Sequence, residues 1–372
     1  MLLNKILASM QFFDCNKSHI TPIIKVVDFC NFTCDFCRYP NNPHKSLMPF
    51  STFKTIVEKA CEYNFSNNYY ELDVVFHGGE PLLWGYENFR LAIELQKELA
   101  VKFPKLVFRN SIQTNGALLN DQWIEFLHDN NFDIGISIDG PSEINFHKGP
   151  ISDKVVIENI NKLTQKNCKF GILSVITNEH AGWADRYYDF LVENNIHSVG
   201  LCYCMYDEEH KITVKNDILS DFLKHFFDRY FEGTYKLNVR EFDNVLKLCM
   251  GVSTGSCAFS KRQRCGNFFS IRPNGDVYFC DPYTLEVPSL GNILNSTFSD
   301  IKNHPNLLKT IIEAKEGAIK ECANCAIKNI CGGGCYRSTF SDGKNAFCDT
   351  YKSLYPYIES KVCAFKEQHM EM

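Results

Sequence analysis

The sequence predicts an α/β fold built on parallel strands, and three observations predict it. Between residue 22 and about residue 230, short apolar, β-rich runs alternate with segments of helical period. Six such strand-then-helix units follow in series, which implies parallel strands joined by right-handed crossovers. After about residue 240 the pattern changes: helix signals thin out and cysteines cluster. Periodicity alone leaves an open doubly wound sheet and a partial barrel as alternatives.

The predicted strands are Ile23–Asp28, Leu72–His77, Leu106–Gln113, Phe132–Asp139, Phe170–Ile176 and Ser198–Tyr203. Between them lie the amphipathic segments Ser51–Tyr63, Asn88–Phe103, Asp121–Asn130, Lys154–Asn167 and Trp183–Asn194, and Ile218–Tyr230 follows the sixth strand. Ser51 and Asp121 precede helix-spaced apolar residues and are read as N-caps. Further on, Pro273-Asn274-Gly275-Asp276 reads as a turn between Phe268–Arg272 and Val277–Cys280. Asn306–Glu316 is read as helical. Asp349–Phe365 has helix-spaced apolar residues but carries Pro356, which is expected to kink or stop it. No internal repeat and no low-complexity linker is seen.

The 372-residue chain is long enough for a large domain and a smaller one. A net charge of −5 without a dense Lys/Arg stripe argues against phosphate neutralisation, so no nucleic-acid partner is expected. The densest basic run, Lys261-Arg262-Gln263-Arg264, reads as a local contact or a solvated loop. The 18 cysteines sit in short metal-type clusters rather than in the framework of a small secreted domain. Met1–Met10 lacks the long apolar centre of a signal peptide, and no stretch approaches the ~20 apolar residues of a membrane span. A reduced, cytoplasmic protein without a membrane partner is expected. About twenty residues precede the first strand, and no separate leader-binding domain is evident in them.

Cys30-Asn-Phe-Thr-Cys34-Asp-Phe-Cys37 is the most specific feature. Three cysteines within eight residues directly follow the run Ile23-Ile24-Lys25-Val26-Val27, which puts them in a loop at a strand's end. They can fill three corners of a cubane iron–sulfur cluster and leave the fourth iron without a protein ligand. Structural zinc normally adds a second C-x-x-C hook or a histidine, and neither stands nearby. The triplet resembles the signature of the radical S-adenosylmethionine (SAM) superfamily. That resemblance implies a (β/α)6 partial barrel and a four-iron (4Fe-4S) cluster that binds SAM. It also implies reductive cleavage of SAM to methionine and a 5′-deoxyadenosyl radical, with a flavodoxin or ferredoxin as electron donor.

Phe76-His77-Gly78-Gly79-Glu80-Pro81-Leu82-Leu83 ends the second predicted strand and resembles the superfamily's GGEP motif, which receives the methionine amino group. Gly78 and Gly79 permit close backbone approach, and Glu80 can pair with an ammonium. Gln113-Thr114-Asn115-Gly116 and Ser137-Ile138-Asp139-Gly140-Pro141 end the third and fourth strands. They resemble segments that flank SAM, so Asn115 and Ser137 are expected near the cofactor, although Asn-Gly and Asp-Gly-Pro are also ordinary turns. Where relatives often carry Asp or Arg, this chain reads Phe146-His147-Lys148-Gly149, and no basic partner for the SAM carboxylate is placed.

In the second half, Cys265-x9-Gly275-x4-Cys280, Cys322-x2-Cys325-x5-Cys331-x3-Cys335 and Cys348 resemble the SPASM domain of peptide- and protein-modifying radical SAM enzymes. The expected division is residues 1–235 for the radical SAM core and 236–372 for the SPASM domain. The family's interleaved pattern implies two auxiliary four-iron clusters. Cys257, Cys265, Cys280 and Cys335 would hold the first, and Cys322, Cys325, Cys331 and Cys348 the second. Two zinc ribbons are the bland alternative. Asp281 follows a ligating cysteine where sulfatase-maturating members have an Asp proposed to take the substrate's proton; a turn-forming Asp before Pro282 is the alternative. His77 is expected to donate a hydrogen bond rather than act as a base.

Two auxiliary clusters suit a product more oxidised than its substrate, because a second electron must leave. The wording around His77 looks more like ribosomal-peptide maturases, including the cyclophane-forming group. Sulfatase-maturating enzymes more often carry Gln there and an aromatic at the place of Arg38. The expectation is therefore oxidative crosslinking of a precursor peptide. Oxidation of Ser or Cys of a sulfatase chain to formylglycine is the alternative, and a non-enzymatic cluster- or zinc-binding regulator the contrasting class.

Overall fold

A computed structural model of the chain describes residues 19–34, 36–37, 45–145, 153–205, 213–252, 254, 256–257, 265–281, 289–307, 309, 322–335, 338–339 and 344–370. Strands β1 (Thr21–Val27), β2 (Glu71–Gly78), β3 (Val107–Thr114), β4 (Asp133–Ser137), β5 (Phe170–Ile176) and β6 (Ser198–Tyr203) lie parallel, each bonded to the next. Between and after them run α1 (Phe50–Ser66), α2 (Tyr86–Lys102), α3 (Asp121–Asp129), α4 (Asp153–Gln165), α5 (Ala184–Glu193) and α6 (Asn216–Glu232). These are the six predicted units, with boundaries moved by a few residues.

Each strand presents one face to the helices and the other to a shared space. Alternate residues Val75, Gln113, Gly135, Gly171 and Gly200, from five successive strands, line one cavity of about 750 Å³. The sheet is therefore curved around a lumen, and the partial barrel is the correct alternative. That cavity opens at the strands' N-terminal ends, beside Asp133, Phe170, Ser198 and Asn238, away from the cysteines. Among the described residues no helix is long and apolar enough to cross a membrane.

Some local expectations are corrected. Helix α1 is capped by Pro49 without a side-chain bond, and Ser51 lies inside it. The cap of α3 is Asn120, whose side chain accepts from the Trp123 amide at 2.9 Å, rather than Asp121. The sheet also runs past residue 235: β7 (Asn238–Val239) pairs with β6, and α7 (Arg240–Cys249) packs beside it.

The predicted hairpin is β8 (Phe268–Ile271) and β9 (Val277–Phe279), antiparallel, closed by a turn in which the Gly275 amide donates to Arg272 O at 2.9 Å. β8 lies parallel to β1, so the hairpin extends the barrel's own sheet, in the order β7-β6-β5-β4-β3-β2-β1-β8-β9. After it come the short helices α8 (Phe298–Lys302) and α9 (Lys328–Cys331) and the long α10 (Cys348–Met370). Pro356 neither stops α10 nor ends its burial: Leu354, Tyr355, Ile358 and Val362 all pack inward. Most of the predicted helix Asn306–Glu316 lies outside the described residues.

Candidate active site

The carboxyl ends of β1, β2 and β3 converge on the cysteine triplet. Cys34 is buried, and Cys30 and Cys37 are half-buried. The Cys37 amide donates to Cys34 O at 3.0 Å, which folds the loop back on itself. Cys30 Sγ accepts from the Phe32 amide at 3.3 Å and lies 3.6 Å from Asn115 Nδ2. Burial pushes the Cys30 thiol up to about 11, and the charges of Glu80 and Cys37 add to the rise. Such a sulfur becomes a thiolate when a metal replaces its proton.

Against this loop the β2 end approaches without side chains. The Gly79 amide donates to Val27 O at 3.1 Å, and the Glu80 amide to Phe29 O at 3.0 Å. A Cβ on Gly79 would stand 2.0 Å from Phe29 O and 2.8 Å from Cys30 N. Only glycine lets the two segments lie together.

Glu80 is held by donors of the chain itself. It is fully buried: Oε1 accepts from the Leu82 amide at 3.0 Å and the Thr114 hydroxyl at 2.8 Å, and Oε2 from the Asn115 amide at 2.8 Å. Burial raises its carboxyl to about 7 despite these donors. The side chain fastens the β2 and β3 loops to each other.

Asn115 reaches the cysteine loop. Its Nδ2 donates to Asn31 Oδ1 at 2.8 Å, beside Cys30. Asn31, which the sequence reading passed over as a spacer, has a buried Nδ2 without a partner among the described residues. Ser137 sits one strand further on and accepts from Gln113 Nε2 at 2.8 Å. The sites expected to take Phe146–Gly149 and Arg38 lie outside the described residues.

A second constellation joins the barrel to the hairpin. Cys280 has a left-handed backbone (φ 60°), which turns the chain out of β9 and delivers Asp281 toward β1. There Asp281 forms an ion pair with Lys25, whose side chain is 1% exposed. Lys25 and His77 are register partners across β1 and β2, and Lys25 Nζ donates to His77 Nδ1 at 3.1 Å. The Gly78 amide donates to the same nitrogen at 2.8 Å. Nδ1 is therefore an acceptor, and the ring proton sits on Nε2. Burial, reinforced by the Lys25 charge, lowers His77 to about 4 and keeps it neutral. Its Nε2 is left as the donor.

The later cysteines form two gatherings. Burial pushes the Cys280 thiol up, and the nearby sulfurs of Cys335 and Cys257 push it further. Burial raises Cys331 to about 12, with Cys348, Cys322 and Cys325 adding to the rise. Cys265 is half-buried, three residues before β8. The turn from Cys331 to Cys335 runs through Gly332, Gly333 and Gly334, all with positive φ; a Cβ on Gly334 would meet Asn345 Nδ2 at 2.9 Å.

Among the described residues no three His, Cys, Asp or Glu stand close enough to hold a single metal ion. A cubane carries its thiolates on separate irons and needs a wider gathering. Sulfur-only donor sets, the orphaned Asn31 amide and the glycine cradle beside Cys30 all fit such clusters and the small molecule bound to one of them.

Comparisons with known proteins agree. Residues 24–191 match the family model of the radical SAM superfamily, and residues 263–326 that of an iron–sulfur cluster-binding domain, SPASM. A cysteine-type anaerobic sulfatase-maturating enzyme of Clostridium perfringens is 30% identical over 358 residues, 88% of this chain and 93% of the relative. A serine-type anaerobic sulfatase-maturating enzyme of Bacteroides thetaiotaomicron is 27% identical, over 92% of this chain and 89% of the relative. The solved structure of native anSMEcpe with bound AdoMet and Cp18Cys peptide superposes with a TM-score of 0.80 at 26% identity, covering 94% of this chain and 99% of that one. SAM and iron–sulfur clusters are thus the cofactors, and the chain belongs to the radical SAM/SPASM maturases, the family that includes the anaerobic sulfatase-maturating enzymes.

Proposed function

We propose that the protein oxidises a serine or cysteine side chain of a sulfatase or similar protein to formylglycine, acting in the cytoplasm with a flavodoxin or ferredoxin as electron donor. Cys30, Cys34 and Cys37 would hold the SAM-binding cluster. Cys257, Cys265, Cys280 and Cys335 would hold the first auxiliary cluster, and Cys322, Cys325, Cys331 and Cys348 the second. Gly78 and Gly79 would offer backbone and Glu80 its carboxylate to the methionine moiety, with Asn115 and Ser137 flanking it. When bound, SAM supplies the radical that takes a hydrogen atom from the substrate's Cβ, and the auxiliary clusters accept the electron left behind.

The chain's own contribution is to hold the substrate side chain and take its proton. Asp281 is the acceptor in this reading: a carboxylate one residue from Cys280 and turned toward the barrel. That placement carries the proposal, together with similarity along nearly the whole chain to both cysteine- and serine-type maturases. His77, with its Nε2 donor, favours a second reading: the oxidative crosslinking of a precursor peptide.

Anaerobically reconstituted protein, dithionite, SAM and an 18-residue sulfatase-type peptide carrying Cys or Ser provide the test. The expected product is an aldehyde that forms a hydrazone. Loss of two hydrogens without an aldehyde would select the crosslink. Failure to release 5′-deoxyadenosine with either peptide would overturn both readings.

A further inference from the structure

Lys25 places a charge at a strand position that an apolar side chain would fill. It stands in β1 between Ile24 and Val26, which are fully buried, and is itself 1% exposed. Desolvating an ammonium is costly unless a partner offsets it, and a methionine would fill a similar volume without that penalty. What the ammonium has gained is the carboxylate of Asp281, more than 250 residues away in sequence and 34% exposed. From the other side, His77 offers Nδ1 at 3.1 Å, and the Gly78 amide fixes that ring by a second bond to the same atom. The Gly78-Gly79 segment in turn lies against the Cys30 loop. A continuous set of contacts therefore runs from the triplet, through His77 and Lys25, to Asp281.

We propose that Lys25 is a positioning residue for Asp281: its ammonium, braced by His77, fixes the direction of the carboxylate that receives the substrate's proton. The inference rests on the reading of Asp281 given above. In the balanced reaction, the Cβ–H hydrogen goes to the deoxyadenosyl radical, the O–H or S–H proton to Asp281, and one electron to an auxiliary cluster; serine is left as the aldehyde, and cysteine as a thioaldehyde whose sulfur water displaces as hydrogen sulfide. Lys25 governs the middle transfer alone. Without it the carboxylate swings freely, and the substrate radical is re-reduced by dithionite, taking a proton from solvent.

The test measures product formed per 5′-deoxyadenosine released for wild type, Lys25→Met, Lys25→Arg and Asp281→Asn, with iron, sulfide and equilibrium SAM binding determined on each. Lys25→Met is expected to lower the ratio at least fivefold, Lys25→Arg to recover at least a third of the wild-type ratio, and peptide recovered from D2O after Lys25→Met turnover to carry deuterium. A loss smaller than fivefold, equal failure of Met and Arg, or no deuterium in the recovered peptide overturns the proposal. Should Lys25→Met lose iron, the ratio is read on His77→Leu against the same threshold. Normal product from Asp281→Asn would sink the reading of Asp281 itself. Its loss there, with normal coupling in Lys25→Met, would sink only the role of Lys25.

Discussion

His77 and Glu80, three residues apart at the end of β2, are displaced from their ordinary titration ranges in ways that affect stability with opposite sign. His77 is lowered to about 4 by burial and by Lys25. Its contribution is complete above the unfolded value near 6.5 and is lost as pH falls through 4. Glu80 is raised to about 7 by burial, so its contribution is complete below about 4.5 and is lost as pH rises through 7. Comparing His77→Gln with wild type cancels the Glu80 term. The variant apoprotein should lose less stability than wild type between pH 7 and pH 4.5. The difference in urea unfolding should be on the order of 2 kcal/mol, since the ring keeps some solvent contact. Equal losses would show that the ring is protonated in the folded state. At this scale the sequence exposed the cysteines, because their spacing has few other uses. It hid Lys25, because one lysine in Ile23-Ile24-Lys25-Val26-Val27 does not disturb the apolar pattern of a strand. The usable signal was the strand's burial on both faces: a charge there has to be paired.

At the scale of elements, the site depends on how closely the β2 end packs against the loop leaving β1. A methyl group on Gly79 would meet backbone atoms on the Phe29–Cys30 segment, which cannot move aside as a flexible side chain would. Gly79→Ala should therefore part the loops and lower iron at the N-terminal site, and SAM cleavage should fall by roughly 100-fold. Gly85 is a contrast on the same connection. Its φ is 93°, but a Cβ there meets nothing within 4 Å, so Gly85→Ala should cost about 1 kcal/mol of stability and leave SAM cleavage within twofold of wild type. Iron content, deoxyadenosine release and denaturant unfolding of the two variants check the contrast. Equal behaviour would mean that the close approach at Gly79 is not what the site depends on. The strands themselves were legible because β1 is a nearly continuous apolar run and β2 to β5 bury alternate residues. Helix ends were not: the bond from the Trp123 amide chose Asn120 over its neighbour Asp121, and α1 starts after a proline with no side-chain cap.

Across the whole molecule, the change of composition near residue 240 and the end of the sheet fall in different places. β7 and the β8–β9 hairpin continue the barrel's sheet at its two edges, a pairing that no local pattern in the sequence reveals. Arg272, just past β8, bonds Asp28 Oδ2 at 3.0 Å, and Lys25 meets Asp281, so the hairpin is held to the triplet's strand by charge as well as by backbone. On the other side of the barrel α10 packs against α6 and α7. Pro356 sits in the middle of α10 and removes a backbone donor, which led to the expectation of a break. Packing against α6 outweighs it: Leu354, Tyr355, Ile358 and Val362 are buried, Tyr357 Oη donates to Asp228 at 2.6 Å, and Lys361 pairs with Asp228 at 2.9 Å. Four such side chains are worth about 6–12 kcal/mol at ~1.5–3 kcal/mol each, an upper figure because the unfolded chain hides some surface. Whole domains have only about 5–15 kcal/mol to lose. A chain ending at Ser353 keeps Cys348 and every other cysteine of the two gatherings, yet should be recovered unfolded. Tyr357→Phe, which removes one hydrogen bond, should cost only about 1 kcal/mol. Limited proteolysis and urea unfolding of both test the ranking. If the truncated chain resists protease as wild type does, the barrel closes without α10, and the contacts along α6 are passive.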